Sequence, residues 1–422
     1  MRQFWLRKKE DSNGKIDWGS SVYLYQIVNK NEKRVDFEII KGKRIEGFDP
    51  SRGNKPTTKA RGTFICPICG TTYKSNEIQK LASSKGLGHR LVCVVLHSTD
   101  IKGKRYRVAN KEDLYTFENA TNALQEKIHS WEDENSPVPN EPMPPIGIYG
   151  IDAQRYTVNQ SWGEIFNARQ LLTLVTLMEK VHEARKRIAL QNEDEDYARS
   201  VSTILAFAID KVADYCSVLC QWRNNLEPVG HTFARQALGM LWDYCEGNPL
   251  TGASGTWAGA IGWIIPALKS CSQIEIFGAV SQKSATKINM GASSLDAIVT
   301  DPPYYDSVPY SDLSDFFYVW LKRSVGEIYP DLFATPLTPK SEEIIQEPMR
   351  HGRDSQKAKE FYERMMREAF AQIQKALEQN GVVTIMFAHK TTEAWETLVN
   401  ALIKAGIVPT SSWPVHTEMK SR

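Results

Sequence analysis

The stretch Ile298–Asp306, IVTDPPYYD, ends an apolar run on a carboxylate, two prolines and two tyrosines. Residues of these types could hold a flat nitrogenous base and assist methylation of its amino group. The exocyclic nitrogen of adenine is a poor nucleophile, because its lone pair is delocalised into the ring. Two acceptors that draw its two N–H bonds would free that lone pair. The Asp301 side chain can be one acceptor and the Pro302 carbonyl the other, since proline has no N–H to compete. Pro303 stiffens the pair, and Tyr304 offers a ring face for a base taken out of its stack. With a sulfonium such as S-adenosylmethionine as donor, no strong base is required, and positioning and fixed dipoles supply most of the catalysis. The amine of cytosine could use the same arrangement, but the Asp-first form leans towards adenine. A strand that runs into a proline turn with locally packed tyrosines is the alternative for these residues.

The elements that must position this segment can be read around it. From about Ile274 the pattern alternates strand and helix, with strands expected at Lys287–Met290, Ala297–Thr300, Val382–Phe387 and Val408–Trp413. Helices are expected near Leu313–Arg323, Lys357–Glu378 and Glu393–Ala405. This alternation predicts an α/β unit with a parallel sheet. Asp301 then stands at a strand's carboxyl end, where open α/β sheets bind ligands. Upstream, Ser161 and Glu164 in SWGE can cap a helix carrying Leu171, Leu174, Val175, Met178 and Val181, followed by helical runs at Tyr197–Trp222 and Phe233–Tyr244. Residues 1–115 hold strand-like runs, SVYLYQIV, RVDFEII, RLVCVVLH and KRYRVA. The acidic, proline-rich Glu132–Gly147 reads as a linker. The expected domains are a basic β module at 1–131, a linker at 132–150, a helical subdomain at 151–260 and the catalytic part at 261–422.

A hydrophobic content of 41% with 24% charged residues over 422 positions fits a soluble globular chain of two or three domains. No apolar run is long enough to span a bilayer, and the N-terminus has no signal-peptide core, so a cytoplasmic location without a membrane partner is expected. The net charge of +2 is unevenly spread: residues 1–110 hold 23 Lys/Arg against 10 Asp/Glu, and the remainder 29 against 40. A basic module on an acidic body points to a polyanion such as DNA, against the blander reading of a lysine-rich solvated surface.

The segment FICPICG sets Cys66 and Cys69 two residues apart with a proline between and a glycine after. Two thiolates on one tight turn can take a zinc ion, and Gly70 relieves the backbone. One such knuckle supplies two of four ligands; His89, Cys93 and His97 are candidate completions, and a plain turn with free thiols is the alternative. Cys216 and Cys220 read as small buried hydrophobes at helical spacing.

TDPPYYDSVPYSDLSDFFYVWLKR resembles the catalytic segment of the adenine-specific DNA methylases that contain a zinc ribbon, large bacterial and archaeal proteins of which some belong to phage-defence loci. YGIDAQRYTVNQSWGEIFNARQLLTL, FARQALGMLWDYCEGNPL, YPDLFATPLTPKSEE, VTIMFAHK and WPVHTE also resemble family segments. The resemblance implies a Rossmann-like methyltransferase sheet, a small zinc-ribbon-like N-terminal module, S-adenosylmethionine as donor and adenine N6 in DNA as acceptor. It places the catalytic motif on Asp301, Pro302, Pro303 and Tyr304. The family's second cysteine pair would fall just upstream of Met1.

The family's cofactor loop, D-P-F-x-G-x-G, has no match here. TGASGTWAGAIGW and INMGASSLD come nearest, and the second resembles the family's third strand, which makes Gly291 and Ser293 the cofactor-side candidates. By the family's strand order this chain would hold strands three to six. The expectation is a catalytic half that needs a second polypeptide for the cofactor motif and the second cysteine pair. The alternatives are an inactive remnant that only binds nucleic acid or a partner subunit, and a methylase of RNA or protein. His389 and Lys390 would end a strand at the active-site edge, and Lys340 could touch phosphate.

Overall fold

The computed structural model describes residues 4–51, 63–98, 101–131, 136–192, 194–276, 278–288, 290–306, 308–389 and 391–414. The chain mixes α-helices with small β-sheets. It divides into two compact units, one made of Met1–Ile146, Gly150–Ile274 and Leu313–Thr338, the other of Gly147–Tyr149, Glu275–Asp312 and Pro339–Arg422.

In the first unit, β1 (Trp5–Arg7), β2 (Val22–Asn29) and β3 (Arg34–Lys41) form an antiparallel sheet. β2 reads VYLYQIVN, the β-branched and aromatic composition that fits a pleated, half-buried surface. Its inner end packs Tyr23 against Trp5 and stacks it on Phe48. β4 (Thr63–Ile65) and β5 (Thr72–Lys74) make a hairpin that leads into α1 (Ser75–Lys85). β6 (Cys93–Ser98) and β7 (Ile101–Val108) make another, followed by α2 (Lys111–His129). All four strand-like runs expected in this region contribute to strands.

The helices α3 (Ala168–Asn192) and α4 (Glu195–Asp214) pack together, with the expected Leu174, Val175, Met178 and Val181 of α3 buried, as are Ala208, Ile209 and Val212 of α4. The Ser161–Glu164 box is present, but it caps a single 3-10 turn, Trp162–Ile165. A second reciprocal pair then starts α3: Asn167 N–H donates to Gln170 Oε1 at 2.8 Å, and Gln170 N–H to Asn167 Oδ1 at 3.0 Å. The run expected to Trp222 stops at Asp214, because Thr232 takes the Asp214 carbonyl with its N–H at 2.6 Å and its hydroxyl at 2.7 Å. Phe233–Tyr244 is not helical. The Leu238 carbonyl accepts from the N–H groups of Asp152 and Ala153, and its N–H donates to Gly150, so tertiary partners replace the helical ones. α5 (Trp257–Cys271) accounts for TGASGTWAGAIGW, with Thr256 Oγ1 accepting from Gly259 N–H.

This division does not follow the boundaries expected at 131 and 150. Trp222 Nε1 donates to the Leu6 carbonyl at 2.6 Å, and Arg7 and Lys104 both bond Glu227. The basic strands and the segment after α4 therefore share one core. Residues 136–146 of the expected linker are also packed, with Pro137, Pro139, Met143 and Pro144 buried. The Arg323 guanidinium, whose side chain is 5% exposed, reaches Glu141 at 2.8 Å and the carbonyls of Ser136 and Val138. Proline rigidity here shapes a strap instead of a swinging tether.

The second unit is built on β8 (Leu295–Thr300). It is followed by α6 (Tyr310–Val325), whose body counts with the first unit, then by α7 (Ser355–Ala376), β9 (Leu377–Ile385) and α8 (Thr392–Lys404). β8 and β9 are parallel, with Ala297 opposite Val382 and Thr300 opposite Ile385. α7 buries Tyr362, Met366, Phe370 and Ile373 with Leu398 and Leu402 of α8, and Ile298, Val383 and Ile385 pack against them. No further strand pairs with β8 or β9 among the described residues. The expected strand at 287–290 starts instead on a 3-10 turn, Ala285–Lys287, and Asn289 lies outside the described residues. Val408–Trp413 makes no strand either; its ends Val408 and Trp413 are exposed. A strand persists only where a ladder partner takes its backbone groups. No helix among the described residues is long and apolar enough to cross a membrane.

Arg323→Ala would leave Glu141 buried without its cation. A loss of about 3–5 kcal/mol in urea-unfolding free energy is expected, since breaking one half of a buried pair strands the other charge. A loss below about 1 kcal/mol, the range of exposed pairs, would show that the strap is held otherwise.

Candidate functional site

Parallel pairing puts the carboxyl ends of β8 and β9 at one edge. The Met386 N–H donates to the Thr300 carbonyl at 2.9 Å, the last rung before both chains leave the ladder. Asp301–Asp306 emerges from β8 and Met386–His389 from β9, so two segments over eighty positions apart meet there.

The turn itself is anchored by Tyr305. Its φ of 56° is unusual for a bulky residue. The ring is buried and meets Tyr362 edge-to-face at 5.1 Å. Burial, followed by the charge of Glu393, pushes the Tyr305 phenol up to about 12. Its N–H donates to the Pro303 carbonyl at 3.1 Å, and its carbonyl accepts from Gln346 N–H at 3.0 Å. The buried Tyr362 hydroxyl donates to that same Pro303 carbonyl at 2.8 Å. At the far end of the turn, Asp306 Oδ1 lies 3.1 Å from His389 Nε2. The Thr391 N–H points to His389 Nδ1 at 3.2 Å, so Nδ1 is an acceptor and the Nε2–H donates to Asp306 Oδ1.

With Tyr305 turned inward, Asp301 is left exposed, Pro302 is buried, and Pro303 and Tyr304 are half-buried. Among the described residues, no hydrogen bond ends on the Asp301 carboxylate or on the Pro302 carbonyl. The two acceptors expected from the motif are therefore not consumed by the fold. Tyr304 meets Phe387 at 5.6 Å, and Phe387 in turn meets Trp395 at 5.0 Å, both near perpendicular. Burial and the neighbouring Asp301 and Glu343 carboxylates push the Tyr310 phenol up. Below the turn, Glu343 accepts from Ser311 N–H at 2.9 Å at the start of α6, where a carboxylate suits the helix dipole. Arg350 joins Glu343 at 2.7 Å and Asp312 at 2.5 Å. Burial works to lower the Arg350 guanidinium, but these two carboxylates outweigh it and hold it raised.

Other expected residues fall elsewhere. The Gly291–Ser294 turn precedes β8: Ser293 N–H donates to Lys375 O at 3.0 Å and Ser294 N–H to Ala376 O at 2.9 Å. Gly291 and Ser293 thus sit at the amino end of the strand, roughly 20 Å from Asp301 at about 3.3 Å per residue. Lys340 is half-buried, and its carbonyl accepts from Arg350 at 3.2 Å. His389 belongs to the site, and Lys390 lies outside the described residues. Tyr362 was not legible as a site residue, because its spacing reads as one more aromatic on the buried face of α7. Only its hydroxyl, an odd group in an apolar stripe, hinted at a task.

Cys66 and Cys69 flank the β4–β5 turn. Cys66 N–H donates to Thr71 O at 2.9 Å, Gly70 N–H to Cys66 O at 2.8 Å, and Gly70 has φ of 75°. Hydrogen bonds from Thr71 and Cys66 bring the Cys69 thiol down to about 7. Among the described residues, no three His, Cys, Asp or Glu side chains cluster as a metal site, and His89, Cys93 and His97 are not grouped with the pair. Cys216 and Cys220 are buried, and burial pushes both thiols up. The first unit also holds a cavity of about 520 Å³, lined by Leu87, Tyr156, Phe166, Leu219, Met240 and Trp242 among others and by none of residues 301–306.

No protein-family model, curated protein or solved structure matches this chain.

Alkylation should distinguish the thiols. Cys69 should react with iodoacetamide at a rate half-maximal near pH 7, because it forms the nucleophilic thiolate there. Cys93, which burial pushes up to about 11, should lag far behind. Peptide mass spectrometry reads both; equal rates would contradict the assignment.

Proposed function

We propose that this chain is the catalytic part of a DNA adenine-N6 methyltransferase that uses S-adenosylmethionine, with β8 and β9 as part of a Rossmann-like sheet. The observation that carries the reading is the pair of acceptors, the Asp301 carboxylate and the Pro302 carbonyl, which receive no hydrogen bond among the described residues, at the carboxyl end of a parallel strand pair. A flipped adenine would present its two amino N–H bonds to these oxygens. Both bonds then polarise towards the protein, and electron density returns to the nitrogen. Tyr304 and Phe387 give the base aromatic neighbours. Asp301 is exposed, so the nitrogen can shed its proton to water.

The cofactor does not fit this chain alone. Gly291 and Ser293 lie at the wrong end of β8, and TGASGTWAGAIGW is a helix start. The parallel pair also keeps an open face, where Val299 is 69% exposed, Val382 63% and Met386 52%. Parallel sheets are ordinarily covered on both faces. The Cys66–Cys69 turn offers two thiolates where zinc takes four ligands. All three observations support a second polypeptide that adds strands, the donor site and the remaining zinc ligands. The basic segment 1–110 supports DNA as the polyanion.

A second reading, a nucleic-acid-binding subunit without catalysis, is favoured by the same missing donor site. Purified chain should show no heat of binding with S-adenosylmethionine. A tagged chain recovered from its host with its associated proteins should transfer labelled methyl groups to DNA, with N6-methyladenine found on nucleoside analysis. Label on RNA or protein would overturn the DNA-adenine reading, and none at all would overturn the methylase reading. In the active assembly, Asp301→Ala should lower kcat by about 10²–10³-fold, the scale for losing one preorganised polar group. Its circular dichroism should be unchanged, and turnover at the wild-type rate would reject the role of Asp301.

A further inference from the structure

We propose that Tyr362 and His389 are positioning residues that clamp the two flanks of the 301–306 turn and so hold the spacing of its paired acceptors. This rests on the methylase reading for its consequence, but not for its geometry. The argument begins with the soft dihedrals of the turn. The rings of Pro302 and Pro303 lock φ at both positions. The peptide plane after Pro303 is fixed from below by the Tyr362 hydroxyl at 2.8 Å and from within by the Tyr305 N–H at 3.1 Å, both on the Pro303 carbonyl. With that plane held and φ locked, only ψ of Pro303 remains to orient the Pro302 carbonyl. A chelated carbonyl restrains this angle as well.

Tyr362 can do this because it cannot move. It is fully buried on α7, edge-to-face with Tyr305, and burial raises its phenol so that it stays protonated and donates. The other flank depends on His389, whose side chain is 8% exposed. It stacks beside Phe387, and its carbonyl accepts from Trp395 Nε1 at 3.1 Å. Its Nδ1 is engaged by Thr391, which leaves one donor, and that donor meets Asp306. Both ring nitrogens are therefore committed to structure. His389 serves as a brace between the exits of β8 and β9, with no nitrogen left to take a substrate proton. The left-handed backbone at Tyr305 explains why two braces are needed: a bulky residue in this region relaxes unless its surroundings over-determine it.

The test has two arms. In the first, purified chain carries ¹³C-carbonyl proline and ¹⁵N-tyrosine, which reports only the Pro303–Tyr304 and Pro309–Tyr310 junctions. Tyr362→Phe should shift the Pro303 carbonyl signal and leave that of Pro309 in place; an unmoved Pro303 signal overturns the clamp whatever the enzyme does. In the second, the active assembly is assayed. Tyr362→Phe and His389→Ala should each lower kcat about tenfold or more with KM for DNA within twofold, because neither side chain touches the base. His389→Gln, which can still donate to Asp306, should recover much of the loss. A rate within twofold of wild type in Tyr362→Phe, or a rise in KM with kcat unchanged, overturns the proposal. If wild-type assembly transfers no methyl group, the functional reading falls, and the labelling arm alone decides the clamp.

Discussion

The parallel ladder between β8 and β9 is the interaction on which the rest of the second unit depends. A parallel pair sends both chains out of the sheet at the same edge, which an antiparallel pair cannot do. Thr300 and Ile385 are partners, so Asp301 and Met386 leave in step. α7 makes the pairing possible: it returns the chain across the length of the sheet and hands it directly to β9 at Leu377. Its buried stripe then becomes the floor on which the turn is anchored. Register matters as much as direction, because a one-residue shift of β9 would turn Val383 and Ile385 out of the core.

That floor decides how two adjacent tyrosines share the work. Tyr305 gives its ring to the core with Tyr362 and Phe370, and its backbone adopts the left-handed region to do so. The reversal leaves Asp301 exposed beside the half-buried Tyr304. Burial of an aromatic ring is worth on the order of 2–3 kcal/mol, enough to offset the roughly 1–3 kcal/mol of a strained backbone position. A pair of acceptors without hydrogen bonds among the described residues is unusual, since polar groups are normally satisfied where they can be. Asp301 is exposed, so solvent can satisfy its carboxylate.

The first unit shows a different logic, in which side chains far apart in sequence close one core. Glu227 gathers Arg7 and Lys104, Trp222 caps the end of β1, and Arg323 ties down the proline-rich strap. Several cations of the basic segment are thus structural, and the charge excess of residues 1–110 overstates what remains for a polyanion. Arg34 and Arg90 illustrate the same point, since Asp36 accepts or faces both.

The sequence by itself determined the local elements whose signals are local. α6, α7 and α8 follow from periodic apolar residues, and their ends lie within a few positions of those expected. β8 and β9 follow from β-branched runs, and the Ser161–Glu164 box from capping chemistry. The residue types of the 301–306 segment were legible too, because they lie in one short stretch, but which of its groups the fold leaves without a hydrogen bond was not. Tertiary structure decided whatever needed a distant partner. Phe233–Tyr244 has helical spacing, yet Gly150–Ala153 take its backbone groups. Val408–Trp413 has strand composition and no ladder to join among the described residues. The cofactor-side candidates Gly291 and Ser293 end up at the opposite end of β8 from Asp301, because sheet direction is not written in the turn. Tyr362 enters the site only because α7 lies under the Pro303 carbonyl. Periodicity reports which face of an element is buried, but not which group waits on the other side.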